Sequence, residues 1–212
     1  MKSIIIGAGT YGEVYLAYLL EAGIDVIGFV DDNEKLTGTI IQGVPVLGTR
    51  AALPFLKEKM NIEAVYCPIG NNKLRVQILQ EAKEIGFITP RYIHPSVIIS
   101  PNVEIGDGVY ILLGTTIMPH TVIKDYVMIS MHVSLAHHSV LDEGVFLSTG
   151  CNFGASIHAK KYAYCGISST IMTGLHQLGE DCLIGAGAVV IRDVPDNAVM
   201  TGIPAKVLKY KQ

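Results

Sequence analysis

The stretch IISPNVEIGDGVYILLGTTIMPHTVIKDYVMISMHVSL, residues 98–135, carries an apolar residue at every sixth position. The track runs Ile99, Ile105, Ile111, Ile117, Ile123, Ile129 and Leu135, and continues through Leu141, Leu147, Phe153, Ala159, Cys165 and Ile171. At 50% apolar composition, thirteen such residues in a row arise by chance about once in eight thousand, so the pattern is a repeat and not a bias of composition. Four residues after each comes a small or apolar partner, from Val103, Val109, Thr115 and Thr121 through Ser169 and Leu175. Neither a helix period of 3.6 nor a strand period of 2 holds this beat. A hexapeptide β-helix does, with one short strand and one corner per unit. Three units close a triangular coil, so residues 18 apart stack about 4.8 Å from one another. After Ile171 the next strong positions are Leu178, seven on, then Ile184 and Val190. One extra residue therefore falls within 173–177 and reads as a bulged corner of an otherwise regular solenoid.

The 212 residues carry a net charge of −3 and no basic block, which argues against a nucleic-acid partner. Mean hydropathy is high, at +0.40, yet no run of 18 or more uncharged apolar residues occurs, so no transmembrane helix is expected. The first residues, MKSIIIGAG, lack the pattern of a signal peptide and read as a strand and a glycine turn. Cys67, Cys151, Cys165 and Cys182 are scattered, two of them on inward hexad positions. This reads as a cytoplasmic protein without disulfides.

The first ninety residues follow another logic. A strand over Lys2–Ile6 leads into Gly7-Ala8-Gly9-Thr10-Tyr11-Gly12, a helix over 13–22 and a strand over Asp25–Val30 that ends in Asp31-Asp32. Strand, G-x-G-x-x-G turn, helix, strand and acidic end form a nucleotide-binding pattern: the glycines let backbone N–H groups approach a phosphate at the helix N-terminus. Asp31 and Asp32 are the candidates for ribose or base. A helix over 50–59, a strand over 64–69, a turn at Gly70-Asn71-Asn72 and a helix over 74–85 complete a small Rossmann-like parallel sheet of three or four strands. Asn71, Asn72 and Arg75 then lie near the strand ends where such sheets bind ligands. The expected boundary falls within 89–96, dividing a nucleotide-sugar-binding domain at 1–90 from a β-helix at 91–212.

Together, the Gly7–Gly12 turn with Asp31-Asp32, the entry Ile93-His94-Pro95-Ser96 and the ending from Ile184 to Ala188 and Gly202 to Lys206 carry a resemblance. Over nearly its whole length the chain resembles the bacterial sugar O/N-acyltransferases of the sialic acid O-acetyltransferase and UDP-4-amino-sugar N-acetyltransferase type. The resemblance implies a left-handed β-helix, a homotrimer with active sites between subunits, acetyl-CoA as donor without a metal, and a UDP-sugar or related nucleotide sugar as acceptor. The implied setting is synthesis of a surface glycan precursor. It places the general base at His137, beside His138. A neutral imidazole accepts a proton near neutral pH, as the attacking amine or hydroxyl requires. One coil on, the Ala155 N–H is the expected oxyanion donor. Ile167 and Gly185 are expected along the coenzyme A groove, with Phe146 where the family carries a donor-side histidine.

Three departures bear on the acceptor. The family has an acidic residue after the base, where this chain has His138; Asp142 or Glu143 in the next hexad are the expected substitutes. Phe146 and Tyr11 each stand where the family has or often has a histidine. A sugar or sialic acid O-acetyltransferase is therefore the alternative reading, and a non-catalytic nucleotide-sugar-binding trimer is another. His132 and His137 form an H-x4-H pair similar to that of γ-class carbonic anhydrases, which are metal hydratases. However, Ser96 stands two coils before His132, where a third ligand belongs. His158 and His176 are expected at solvent-facing corners.

Overall fold

The computed structural model describes residues 1–211. The chain divides into two compact units, 1–90 and 91 onward.

The first unit runs β1 (Lys2–Ile6), α1 (Thr10–Glu21), β2 (Asp25–Val30), a hairpin of β3 (Ile40–Ile41) and β4 (Val44–Pro45), α2 (Leu53–Met60), β5 (Ala64–Tyr66) and α3 (Asn72–Glu84). Its main sheet is parallel, in the order β2–β1–β5. Ser3 through Ile6 are all buried, as expected of a central parallel strand. The helices begin where local chemistry starts them. α1 opens three residues before the expected position because Gly9, extended at φ −81° and ψ −179°, is its N-cap. α2 is shorter than expected: Arg50–Ala52 form a 3-10 turn and a proline occupies the first turn of the helix, where its missing N–H costs nothing. β5 stops at Tyr66, short of residue 69. α3 starts at Asn72 because the Asn71 side chain accepts the Leu74 N–H at 3.1 Å.

The second unit is a parallel β-solenoid of two-residue strands. Three sheets of six, five and eight strands form its sides. The six-strand side stacks Ile98–Ile99, Thr116–Ile117, Ser134–Leu135, Asn152–Phe153, Thr170–Ile171 and Val189–Val190. The eight-strand side closes with Lys206–Tyr210, antiparallel to Ala198–Thr201.

The six-residue track points inward. Residues from Ile111 to Ile171 along it are at most 2% exposed, and Leu178, Ile184 and Val190 continue the column. Ile99, on the edge strand of its sheet, is 38% exposed. Each coil contributes three inward residues to one layer, and volume is balanced within the layer. Leu135, Leu141 and Leu147 fill one layer; in the next, Phe153 offsets the small Ala159 and Cys165. The four cysteines are buried and unbridged. Burial pushes the Cys67 and Cys182 thiols up to about 12, so neither is a thiolate at neutral pH.

A second six-residue track sets the backbone at the corners. Asn102, Gly108, Gly114, His120, Tyr126, His132, His138, Gly144, Gly150, Ser156, Tyr162, Ser168 and Gly174 all have positive φ. Each is the left-handed corner of its hexad. No β-branched residue occurs on the track, in keeping with the steric cost of that conformation.

The expected register break is present. Paired residues are 18 apart along the coils up to Phe153↔Ile171, then 19 apart at His158↔Gln177 and Tyr164↔Leu183. The additional residue lies in the corner between Ile171 and Gln177. Among the described residues no helix is long and apolar enough to cross a membrane.

Candidate functional site

The solenoid brings three imidazoles together. His120 and His138 are one coil apart on the left-handed track, and their rings lie 4.8 Å apart between centroids, tilted by 35°. His137 stands perpendicular to His138, at 88°, with the two Nδ1 atoms 2.9 Å apart. Two lone pairs cannot face each other at that distance, so one Nδ1 carries the proton. His137 is exposed and lines a cleft of about 490 Å³ with Met118, Ala155, Thr173, Gly174 and His176. A second opening of about 300 Å³ on the six-strand side shares Met118, Ala136 and Thr173 with the first, so the two form one groove. The bulged corner, expected as a mere irregularity of the solenoid, thus forms a wall of the His137 cleft.

Ala155 lies in this cleft, one coil from His137. Its N–H already donates to Thr173 Oγ1 at 3.1 Å. Neighbouring amides are committed as well: Ser156 N–H donates to the His137 carbonyl, and Gly154 N–H to that of Ile171, each at 2.9 Å.

Neither expected carboxylate substitute reaches His137. Asp142 is paired with Lys124 at 2.6 Å and with His158 Nε2 at 2.7 Å, and Glu143 with Lys161 at 3.2 Å. The 18-residue stack sets these partners: Lys124 and Asp142 are register neighbours on one side of the coil, as are Glu143 and Lys161. His158 is therefore not a corner residue; it lies on a strand and is anchored through Asp142. His176 is a corner residue, with its side chain 90% exposed beside Asp193.

Burial raises the Asp142 pKa, but hydrogen bonds from Lys124 and His158 outweigh it and hold the carboxyl below its ordinary 3.8. A folded-state value below the unfolded one gives stability that is present above the unfolded pKa and lost as pH falls through the folded one. The melting temperature should therefore drop below pH 3.8. Asp142→Asn should lose less over the same acid range, as a thermal melt series from pH 6 to about 2.5 would reveal. Equal acid sensitivity in the variant would remove Asp142 from the account.

Phe146 is buried on the eight-strand side, edge-to-face with Tyr164 at 5.2 Å, and lines neither opening. Ile167 is 54% exposed, and its carbonyl accepts the Gly187 N–H at 2.8 Å. Gly185 N–H donates to the Met200 carbonyl at 2.8 Å. Ile167 and Gly185 lie on neighbouring coils at the corner that leads into the six-strand side, and the His137 corner leads out of it. The His132 ring packs over Gly114, away from His137. Among the described residues no three His, Cys, Asp or Glu side chains converge as metal ligands.

The glycine turn of the first unit divides its labour. Gly7 takes the left-handed conformation, at φ 106°. Gly12 is where α1 meets β1: a Cβ there would run into the Gly7 carbonyl. Gly9 faces open space, with nothing within 4 Å of where a side chain would begin. The first intrahelical bond is Glu13 N–H to the Gly9 carbonyl, at 3.1 Å, so the amides of Thr10, Tyr11 and Gly12 lie ahead of it. That end of α1 suits an anion. Tyr11 packs edge-on against Tyr15 at 5.4 Å.

The two acids are more occupied than the sequence implied. Asp31 accepts from Ala8 N–H and Asn33 N–H, each at 2.8 Å, and so ties the glycine turn to the end of β2. Asp32 pairs with Arg50 Nε at 2.6 Å, and Arg50 reaches on to Glu81 at 3.1 Å. Gly70 faces open space; Asn71 is the α3 cap. Arg75 is fully buried and donates to the Ile69 carbonyl at 2.9 Å, so it supports the loop after β5 instead of lining its surface.

Comparison with known proteins agrees with both halves. Residues 2–82 match the PglD N-terminal domain family. A solved GDP-perosamine N-acetyltransferase from Caulobacter crescentus, bound to CoA and GDP-perosamine, is 31% identical. The alignment covers 99% of this chain and 98% of that one, with a TM-score of 0.91. The acetyltransferase domain of PglB from Neisseria gonorrhoeae, solved with acetyl coenzyme A, is 30% identical over 98% of each chain, with a TM-score of 0.76. The dTDP-3-amino-3,6-dideoxy-α-D-galactopyranose 3-N-acetyltransferase of Aneurinibacillus thermoaerophilus is 44% identical over 59 residues, which span 30% of that protein's length. With the perosamine enzyme matched across nearly its full length, the chain belongs to the PglD-type sugar N-acetyltransferases, enzymes built on a hexapeptide-repeat β-helix.

Proposed function

We propose that this enzyme moves the acetyl group of acetyl-CoA to the amine of a nucleotide-linked amino sugar, with His137 as general base. The observation that carries the reading is the His137–His138 contact at the edge of an open groove. In the productive tautomer His137 Nδ1–H donates to His138 Nδ1, which leaves the lone pair of His137 Nε2 for the acceptor. His138 thus takes over the orienting task that the family gives to a carboxylate, without its negative charge. The amine nitrogen attacks the thioester carbon, and its proton passes to His137 Nε2. The tetrahedral intermediate collapses with cleavage of the C–S bond, and the same proton leaves on the thiol of coenzyme A.

The six-strand side lies between the His137 corner and the corner of Ile167 and Gly185, and we assign the pantetheine path to it. The first unit holds the nucleotide diphosphate at Gly9, Thr10 and Gly12, beside Tyr11, with Gly70 and Asn71 bordering the sugar. Asp31 and Asp32 shape this site mainly by holding the turn and Arg50. The relative solved with CoA and GDP-perosamine supports the pairing of a coenzyme A donor with a nucleotide-sugar acceptor. A homotrimer and a cytoplasmic setting for glycan precursor synthesis complete the proposal.

The test is release of free coenzyme A from acetyl-CoA with UDP-, GDP- and dTDP-linked amino sugars, each beside its hydroxyl counterpart and beside sialic acid. Turnover confined to an amino sugar is expected, with kcat/KM at least ~10³-fold above the hydroxyl analogue, since a site built for one polar group discriminates strongly. Turnover on the hydroxyl compounds alone would replace the reading with an O-acetyltransferase.

A further inference from the structure

We propose that the Thr173 hydroxyl, held by the Ala155 N–H, is the donor presented to the oxyanion of the acetyl transfer. This rests on the acetyl-transfer reading given above. The Ala155 N–H is one coil from the base, in the position to receive the oxyanion, yet it is spent on Thr173 Oγ1 at 3.1 Å. The amides on either side are spent on backbone carbonyls. The donor left facing the acyl group is the hydroxyl itself. Thr173 is exposed and lines the cleft with His137. A threonine hydroxyl has one proton and two acceptor sites. Accepting from Ala155 occupies one acceptor site, polarises the O–H and leaves its proton for the cleft.

The neighbouring structure fixes this hydroxyl in place. Thr173 begins the corner that carries the extra residue of the solenoid. Gly174 follows at φ 105°, a conformation that glycine adopts without strain. At the far end of the corner a single oxygen of Asp193 accepts from both His176 N–H, at 2.6 Å, and Gln177 N–H, at 3.1 Å. His176 N–H chiefly, with Gln177 N–H adding to it, holds the Asp193 carboxyl below its ordinary range. The bulge is thereby pinned, and Thr173 stays against Ala155 in the cleft that His137 lines. As negative charge develops on the carbonyl oxygen, Thr173 Oγ1–H donates to it and the Ala155 N–H strengthens the donor from behind. No proton leaves the threonine in this step.

Thr173→Val keeps the shape and removes the hydroxyl; Thr173→Ser keeps the hydroxyl. With the preferred amino sugar, kcat of Thr173→Val should fall about 10- to 100-fold, as expected on losing an oxyanion donor. The KM for acetyl-CoA and the affinity for coenzyme A, which has no acyl oxygen, should change less than about threefold. Thr173→Ser should recover most of the rate. Wild-type or faster turnover by Thr173→Val would overturn the proposal and make the hydroxyl a plug that the acyl oxygen displaces from Ala155. Should that variant not fold, Thr173→Ala decides by the same criterion. His137→Ala assayed in parallel separates the two ideas: full activity there sinks the base, whereas full activity in the Thr173 variants sinks only this donor.

Discussion

Replacement of His137 with alanine should lower acetyl transfer by about 10²- to 10⁴-fold, the usual worth of a positioned general base. Coenzyme A affinity should stay within about threefold, because His137 lies at the edge of the groove and not along its length. The loss should appear in kcat for the amino-sugar reaction, measured by release of free thiol. His138→Ala should cost less, about tenfold, since it removes the partner of His137 Nδ1 and leaves the base in place. His138→Glu restores the family's acid beside the base and should retain more activity than His138→Ala. If alanine and glutamate at 138 behave alike, the 2.9 Å contact has no orienting role. If His137→Ala turns over at the wild-type rate, the base lies elsewhere and the functional assignment of this cleft falls with it.

The second large effect is on folding. Gly12→Ala should destabilise the first unit by about 3 kcal/mol or more, because the added Cβ meets the Gly7 carbonyl oxygen, which is backbone and has no alternative rotamer. Either β1 and α1 separate or the turn distorts, and the turn is also tied to Asp31 through Ala8 N–H. Against a typical total of about 5–15 kcal/mol, that is a large fraction. Gly9→Ala is the contrasting case. Its backbone is extended and nothing lies within 4 Å of the new carbon, so thermal stability should be unchanged. Affinity for the nucleotide sugar should fall about tenfold or more, since the methyl group would occupy the space through which the diphosphate approaches the backbone in the proposed site. Calorimetric melts and titration with the nucleotide sugar would separate the two variants. A Gly12→Ala protein that melts like wild type would contradict the close helix–strand packing; normal binding by Gly9→Ala would move the diphosphate away from this turn.

These glycines show how far a motif can be read. G-x-G-x-x-G names three positions alike, but only Gly7, by its positive φ, and Gly12, by its packing, need a missing side chain for the fold itself. Which of them serves conformation, approach or packing depends on what lies opposite, and that is set by β1, α1 and β2 meeting. The same holds for Asp31 and Asp32. An acidic pair at the end of β2 is plain in the sequence, but Ala8, Asn33 and Arg50 claim its oxygens once the chain folds. Asp142 was a reasonable candidate to orient His137 because it is five residues away. It is bound instead to Lys124, eighteen residues back, and to His158, sixteen on. In a solenoid the neighbours that matter are one coil away, so proximity along the chain is a poor guide to side-chain partners.

The left-handed corner track is also written in the sequence. Thirteen positions at a spacing of six, from Asn102 to Gly174, without one β-branched residue among them, are as regular as the inward column. That track would have identified His120, His132 and His138 as corner residues and excluded His158 from the corners.

What the sequence determined by itself is everything that follows from period and local backbone chemistry. The hexad beat requires a three-sided β-helix, since no other regular structure buries every sixth residue. The seven-residue step after Ile171 locates its single widened corner, and the glycine turn between two apolar strands requires a βαβ start. These are properties of short windows, where burial and backbone sterics act residue by residue. What only the tertiary structure decided is which polar groups are spent and which remain for chemistry. Asp142 on Lys124 and His158, Thr173 on the Ala155 amide and Asp193 pinning the bulge are all contacts between residues brought together by coil stacking. Hydrogen bonds act over about 3 Å and depend on direction, so a shift of one residue in register reassigns them. The apolar column rests on a non-directional driving force and a fixed period, so it is legible without knowing which residues face one another.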